Sequence, residues 1–145
     1  MHAVPTGEGV FLLKPITKEL IKKWDIRDVD FMGYKKQKDD IFTFHHLLVP
    51  ARYGGRYELW NGVVLCGKTS HPYLHVIEHI DISTFMYITD LMINEKIMGK
   101  LDLGILKEID NVLKDFEKEH ENDRYKNKKR VLKPEFLNRD YSSIK

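Results

Sequence analysis

The spacing of apolar residues predicts a helix near the start of the chain and two strands after it. The segment ITKELIKKW, which follows Pro15, places its apolar side chains on one helical face. The β-branched and aromatic run IFTFHHLLV, residues 41–49, predicts a strand that Pro50 ends. VVLC, residues 63–66, predicts a second strand that is buried. Gly54-Gly55 and Asn61-Gly62 mark the intervening residues as loop, so the two strands form a hairpin with a long connection.

The pattern then changes to helical spacing. Thr69 or Ser70 is suited to cap a helix that has Pro72 in its first turn and runs to about Ile80. The apolar residues of this helix fall on a face suited to packing against the hairpin.

Two more helices are predicted after it. Ser83 is suited to cap the first, which Gly99 ends, and Asp102 begins the second. The second carries a clean apolar stripe formed by Leu106, Ile109, Val112, Leu113 and Phe116. Packing within the domain is the favoured interpretation of this stripe. The alternative is a protein partner bound through helix 102–119.

The chain is therefore predicted to be one α+β domain, a hairpin-plus-helix core with flanking N-terminal and C-terminal helices. Its predicted segments are an N-terminal extension with a short helix at 1–40, the hairpin-plus-helix module at 41–81, a C-terminal helical pair at 82–121 and a basic tail at 122–145.

Composition narrows the classes of function. The net charge of +2 over 145 residues does not by itself require a nucleic-acid partner, but residues 124–145 hold eight basic and two acidic side chains. One cysteine, Cys66, excludes an internal disulfide and a multi-cysteine zinc site. The sequence has neither the pattern of a signal peptide nor an apolar run that spans a membrane. We expect a cytoplasmic protein without membrane partners.

The histidines are concentrated in one stretch. Five of the seven lie between Thr43 and His79. Two of them, His45 and His46, are adjacent near the end of the first predicted strand, and the other three recur every fourth residue on the helix that follows the hairpin. Two histidines at positions i and i+4 of a helix, with a third from a facing strand, can bind one ion.

Such a site predicts one divalent metal ion. Imidazole ligands favour Zn²⁺, Mn²⁺ or Ni²⁺ over Mg²⁺, which prefers oxygen ligands, and the sequence leaves the choice among these four open. Three protein ligands leave a coordination position free for water or for a phosphate oxygen, as catalytic sites do.

The order His-His, a spaced Asn within a hairpin, then His-x-x-x-His on a helix resembles the HNH endonucleases of the ββα-metal (His-Me finger) fold. It is most similar to the colicin-like type that uses three histidine ligands. The match covers residues 44–79. Many HNH proteins carry cysteine pairs around the motif, whereas here only Cys66 is present.

The resemblance implies a role for each matching residue. His46 would be the general base that takes a proton from the attacking water, and Asn61 would tie down the loop that orients it. His45, His71 and His75 would hold the metal.

Four further residues are candidates because of their position. Arg52, Arg56 and Lys68 lie in the predicted loops beside the site and are suited to bind DNA phosphates. His79 lies one helical turn beyond His75. It is a candidate for a further metal ligand, or for a residue that accepts a proton from a ligand.

We therefore predict a metal-dependent endonuclease that hydrolyses phosphodiester bonds in DNA, aided by the salt-sensitive affinity of the basic tail. The alternative is a non-catalytic HNH-like module that binds metal and a nucleic acid or protein partner, for example an inhibitor from a bacteriophage or mobile element. A further alternative is a structural zinc site. The sequence contains no HExxH, GxSxG or glycine-rich phosphate loop that would indicate another enzyme class.

Overall fold

The predicted α+β class is confirmed by the elements that the chain forms. The computed structural model describes residues 13–121, so the first twelve residues and the predicted basic tail lie outside it. The helices and strands are α1 (Pro15–Lys23), β1 (Phe42–His46), β2 (Gly62–Cys66), α2 (Ser70–Ile80), α3 (Ile82–Met98) and α4 (Leu103–Glu119). Short 3₁₀ turns at Ala51–Tyr53 and Leu59–Asn61 lie in the long hairpin connection.

The two strands pair antiparallel, with Phe42 opposite Cys66 and His46 opposite Gly62. β1 ends at His46 and not at residue 49 as predicted. The N–H of Leu47 donates to the carbonyl oxygen of Asn61, and those of Leu48 and Val49 donate to the side chain of Asn61 and not to a neighbouring strand. Gly62 begins β2 in an extended conformation, so the Asn-Gly pair is not a tight turn. A Cβ atom on Gly62 would lie 2.1 Å from the ring of Phe44, so close packing requires the glycine.

One hydrophobic core joins the hairpin to the helices. Every residue of β2 is buried, and Tyr73, Leu74 and Ile77 bury the opposing face of α2. The apolar stripe of α4 is buried almost completely in this core. It packs within the domain, as the favoured interpretation predicted, and is not an open surface for a partner.

The helix caps correct one prediction and confirm another. Asp81, and not Ser83, caps α3, because its Oδ1 atom accepts a hydrogen bond from the backbone N–H of Thr84 at 3.1 Å. Asp102 caps α4 as predicted, accepting from the N–H of Ile105 at 3.0 Å. None of the described helices is long and apolar enough to cross a membrane.

The segment between α1 and β1 is anchored by Asp30, which no sequence pattern singled out. Its Oδ1 atom accepts from the backbone N–H groups of Met32 and Tyr34, each at 2.9 Å. Its Oδ2 atom accepts from the N–H of Cys66 at 3.0 Å and from the hydroxyl of Ser70. Asp30 therefore ties the end of β2 to the start of α2 and fixes the helix beside the hairpin.

Candidate metal centre

Three histidines from two elements converge beside the hairpin. The ring centroids of His45 on β1 and of His71 and His75 on α2 lie 5.1 to 5.5 Å apart. One potential ligand atom from each lies within 4.8 Å of the other two. The predicted trio therefore meets in space. Its role in binding an ion stays a prediction.

Strand and helix periodicity explain this convergence. Alternate side chains of a strand share a face, so Thr43 and His45 both face α2. Residues four apart on a helix share a face, so His71 and His75 both face β1. The ring of His45 is only 5% exposed between them.

The hydroxyl of Thr43 sets the tautomer of His71. Its oxygen lies 3.1 Å from the carbonyl oxygen of Leu65 and 2.7 Å from Nδ1 of His71. The hydroxyl has one hydrogen and the carbonyl can only accept, so both bonds form when Thr43 donates to Leu65 and His71 donates from Nδ1. The lone pair of His71 is then on Nε2.

Glu78 sets the tautomer of His75 in the same way. Its Oε1 atom lies 3.1 Å from Nδ1 of His75, and a carboxylate accepts, so Nδ1 carries the proton and Nε2 the lone pair. The other oxygen of Glu78 accepts from Arg52 at 3.5 Å. A carboxylate behind a histidine is a common support of metal ligands, because it fixes the ring and raises its basicity.

The surroundings of His45 and His71 favour neutral rings. Burial, with added repulsion from the neighbouring imidazoles, lowers the pKa of His45 well below its ordinary value of 6.5. The same two causes lower the pKa of His71 to about 4. Neutral imidazole is the form that binds a metal, so these donors fit a divalent ion of the imidazole-preferring group.

His46 lies next to the trio on the opposite face of β1. Its ring packs edge-on against Phe44 and Tyr57, at centroid distances of 5.0 and 4.6 Å. Its buried Nε2 atom has no hydrogen-bond partner among the described residues. Burial, and secondarily the charge of Lys14, lowers the pKa of His46.

A cleft of about 320 Å³ brings these groups together. It is lined by the trio, by His46, and by Arg52 and Glu78 among others. Of the predicted phosphate-binding residues, only Arg52 lines this cleft. The side chain of Arg56 is exposed elsewhere on the loop, and Nζ of Lys68 lies 3.9 Å from a carboxylate oxygen of Asp39.

Asn61 is fully buried and holds the hairpin connection together. Its Oδ1 atom accepts from the backbone N–H groups of Leu48 and Val49, at 2.9 and 2.7 Å. Its Nδ2 atom donates to the carbonyl oxygens of Val49 and Arg56, at 3.0 and 3.2 Å. These are the contacts that a loop-tying residue requires, whereas its effect on catalysis stays a prediction.

The remaining candidates lie apart from the cleft. His79 is exposed and is not one of the converging donors. Cys66 is buried, and burial with the nearby charge of Asp30 raises the pKa of its thiol, so it is poorly suited to act as a nucleophile. A second group of converging donors, Asp81, Glu119 and His120, includes the carboxylate that caps α3.

Sequence reasoning missed two supporting residues of the site, Thr43 and Glu78. The position of each in the sequence could have identified it as a neighbour of a histidine. Thr43 lies two residues before His45 on the same strand face, and Glu78 lies three residues after His75 on the helix. No family model, no curated protein and no solved structure matches the chain. Function is therefore inferred from the geometry of the site.

Proposed function

We propose that this protein is a metal-dependent endonuclease of the HNH type, with a ββα-metal core formed by β1, β2 and α2, that hydrolyses phosphodiester bonds in DNA. One observation carries the proposal. Three imidazoles meet in a cleft that also holds a fourth imidazole, His46, whose Nε2 atom has no partner among the described residues.

His45, His71 and His75 would hold the ion. A bound divalent ion supplies positive charge that neutralises a phosphate and stabilises a leaving oxygen. Thr43 and Glu78 keep the two helical rings oriented by accepting hydrogen bonds from their Nδ1 atoms. The lowered pKa values of His45 and His71 keep the ligand form populated at neutral pH.

His46 would be the general base. Its lowered pKa leaves the ring unprotonated at neutral pH, the form that a general base requires. Phe44 and Tyr57 fix the plane of the ring. Arg52, oriented by Glu78 at the edge of the cleft, would bind a phosphate next to the scissile one.

Cleavage of supercoiled plasmid tests the proposal. The protein is incubated with Mg²⁺, Mn²⁺, Ni²⁺ or Zn²⁺ in separate reactions, alongside His46→Ala and the matched control His79→Ala. We expect nicked or linear product with at least one ion. We expect His46→Ala to lower the rate about 100- to 10,000-fold, the usual worth of a general base. The exposed His79 lies outside the cleft, so His79→Ala should leave the rate unchanged.

A second candidate function is a metal-binding module that does not cut. The specific observation in its favour is the burial of the Nε2 atom of His46, which keeps water from the proposed base. Inactivity of the wild type with every ion, together with retained metal binding, would favour this candidate. A purely structural metal site instead predicts that a chelator unfolds the protein.

A further inference from the structure

A second, larger groove adjoins the histidine cleft. It measures about 880 Å³ and lies between the hairpin connection, the end of α1 and the end of α3. Leu47 and Tyr57 line both the groove and the cleft, so the two are neighbours on the surface. A ligand long enough to cover both would reach His46.

The groove presents large apolar side chains to solvent. Trp60 is 52% exposed, and Tyr57 and Leu48 are each 48% exposed, all on the same connection. The indole N–H of Trp60 donates to the carboxylate of Glu58, which holds the ring in one orientation. Exposed, oriented aromatic faces are suited to stacking against a planar ligand.

The charge around the groove is positive. Lys23 and Lys96 line it, and Nζ of Lys14 lies 3.8 Å from the centroid of the Tyr57 ring. Nζ of Lys96 donates to the carbonyl oxygens of Leu59 and Gly62, which fixes its position, and burial lowers its pKa to about 8. Glu58 also lines the groove and keeps its negative charge when the neutral indole N–H of Trp60 donates to it, so two lysines face one carboxylate. Aromatic faces among cations complement a ligand that combines planar rings with phosphates.

We propose that this groove binds an unpaired stretch of nucleic acid, with a base stacked on Trp60 and phosphates near the lysines. A duplex hides its base faces by stacking them on one another, whereas a single strand exposes them to aromatic side chains. Through the shared Tyr57 the strand would continue into the histidine cleft. Because this inference rests on the proposed function, it specifies the substrate: DNA with a single-stranded segment next to the scissile phosphate.

Fluorescence anisotropy of a short labelled oligonucleotide, with chelator present, measures binding without hydrolysis. We expect the single strand to bind more tightly than a duplex of the same sequence. Trp60→Ala should weaken single-strand binding about 5- to 150-fold, the effect of losing one stacked base. Trp60→Phe should restore most of it. Tyr53→Ala is the matched control, because Tyr53 is 72% exposed on the same connection but does not line the groove.

Circular dichroism checks that each variant folds. If Trp60→Ala does not fold, Trp60→Leu replaces it, because leucine keeps an apolar side chain without a ring. Equal binding of single strand and duplex would overturn the inference. So would a folded Trp60 variant that lacks the ring but binds like Tyr53→Ala.

The two proposals fail differently. Suppose that the protein binds single strands in a Trp60-dependent way and yet cleaves no DNA with any ion. That result would overturn the proposed nuclease activity and support the proposed ligand of the groove. Suppose instead that plain duplex and duplex with a single-stranded tail are cleaved at equal rates, and that single strands are not bound preferentially. That result would support the nuclease activity and overturn the proposal that the groove binds single strands.

Discussion

Replacement of Asn61 by alanine tests how the hairpin connection is held. The buried side chain makes four hydrogen bonds, all to backbone groups of the connection and all between 2.7 and 3.2 Å. Alanine removes all four and leaves two backbone N–H groups and two carbonyls without this partner. The connection carries Arg52 and Tyr57, so its loosening should also disturb the cleft.

The size of the effect follows from the contacts. A hydrogen bond contributes about 1 kcal/mol net to stability, so four give about 4 kcal/mol. That is a large part of the roughly 5 to 15 kcal/mol typical of a folded domain. Asn61→Asp should be no more stable than Asn61→Ala, because its second oxygen would face the carbonyl oxygens of Val49 and Arg56 in place of two donated bonds.

Urea denaturation, followed by circular dichroism at equilibrium, measures the free energy of unfolding. Asn94→Ala is the matched control, because Asn94 is exposed on α3 and its loss should have little effect. A free energy of unfolding for Asn61→Ala within about 1 kcal/mol of wild type would show that the four bonds do not hold the connection, since that difference equals a single net hydrogen bond.

Three further substitutions have defined outcomes. Thr43→Val keeps the strand but removes the hydrogen bond that orients His71, so calorimetry should show metal affinity lower by about 10- to 100-fold; unchanged affinity would contradict the tautomer assigned here. Burial raises the pKa of Glu95 well above its ordinary 4.5, so the folded state holds a proton that the unfolded chain releases, and stability falls as pH rises above that value. Glu95→Gln should therefore change the free energy of unfolding more favourably at pH 8 than at pH 5, whereas an equal change at both would contradict the shift. Gly62→Ala forces a methyl group against the ring of Phe44 and should lower the melting temperature, corresponding to about 1 to 3 kcal/mol of overpacking; an unchanged melting temperature would show that the ring moves freely.

Local periodicity was enough to predict most of the elements. The apolar stripe of α4 indicates which face of that helix is buried, because packing requires an apolar face. The end of β1 was not predictable, since residues 47–49 are as apolar as a strand but give their N–H groups to Asn61, twelve or more residues away. Asp30 was missed for the same reason: two of its partners, Cys66 and Ser70, are far along the chain.

The candidate site could also be predicted only in part, where local spacing determines which residues share a face. The spacing of His71 and His75 predicts a shared helical face, and the structure brings them to His45. His79 continues the pattern in sequence, but it is exposed and lies outside the converging group. The directions of Arg56 and Lys68 depend on loop conformation, which periodicity does not encode. Only Arg52 lines the cleft.

The metal site is best tested with a crystal soaked in Zn²⁺ or Ni²⁺ and anomalous scattering measured at the absorption edge of the metal. We expect one strong anomalous peak about 2.1 Å from a ring nitrogen of each of His45, His71 and His75. Absence of a peak between these rings, or a peak only at the group formed by Asp81, Glu119 and His120, would contradict it.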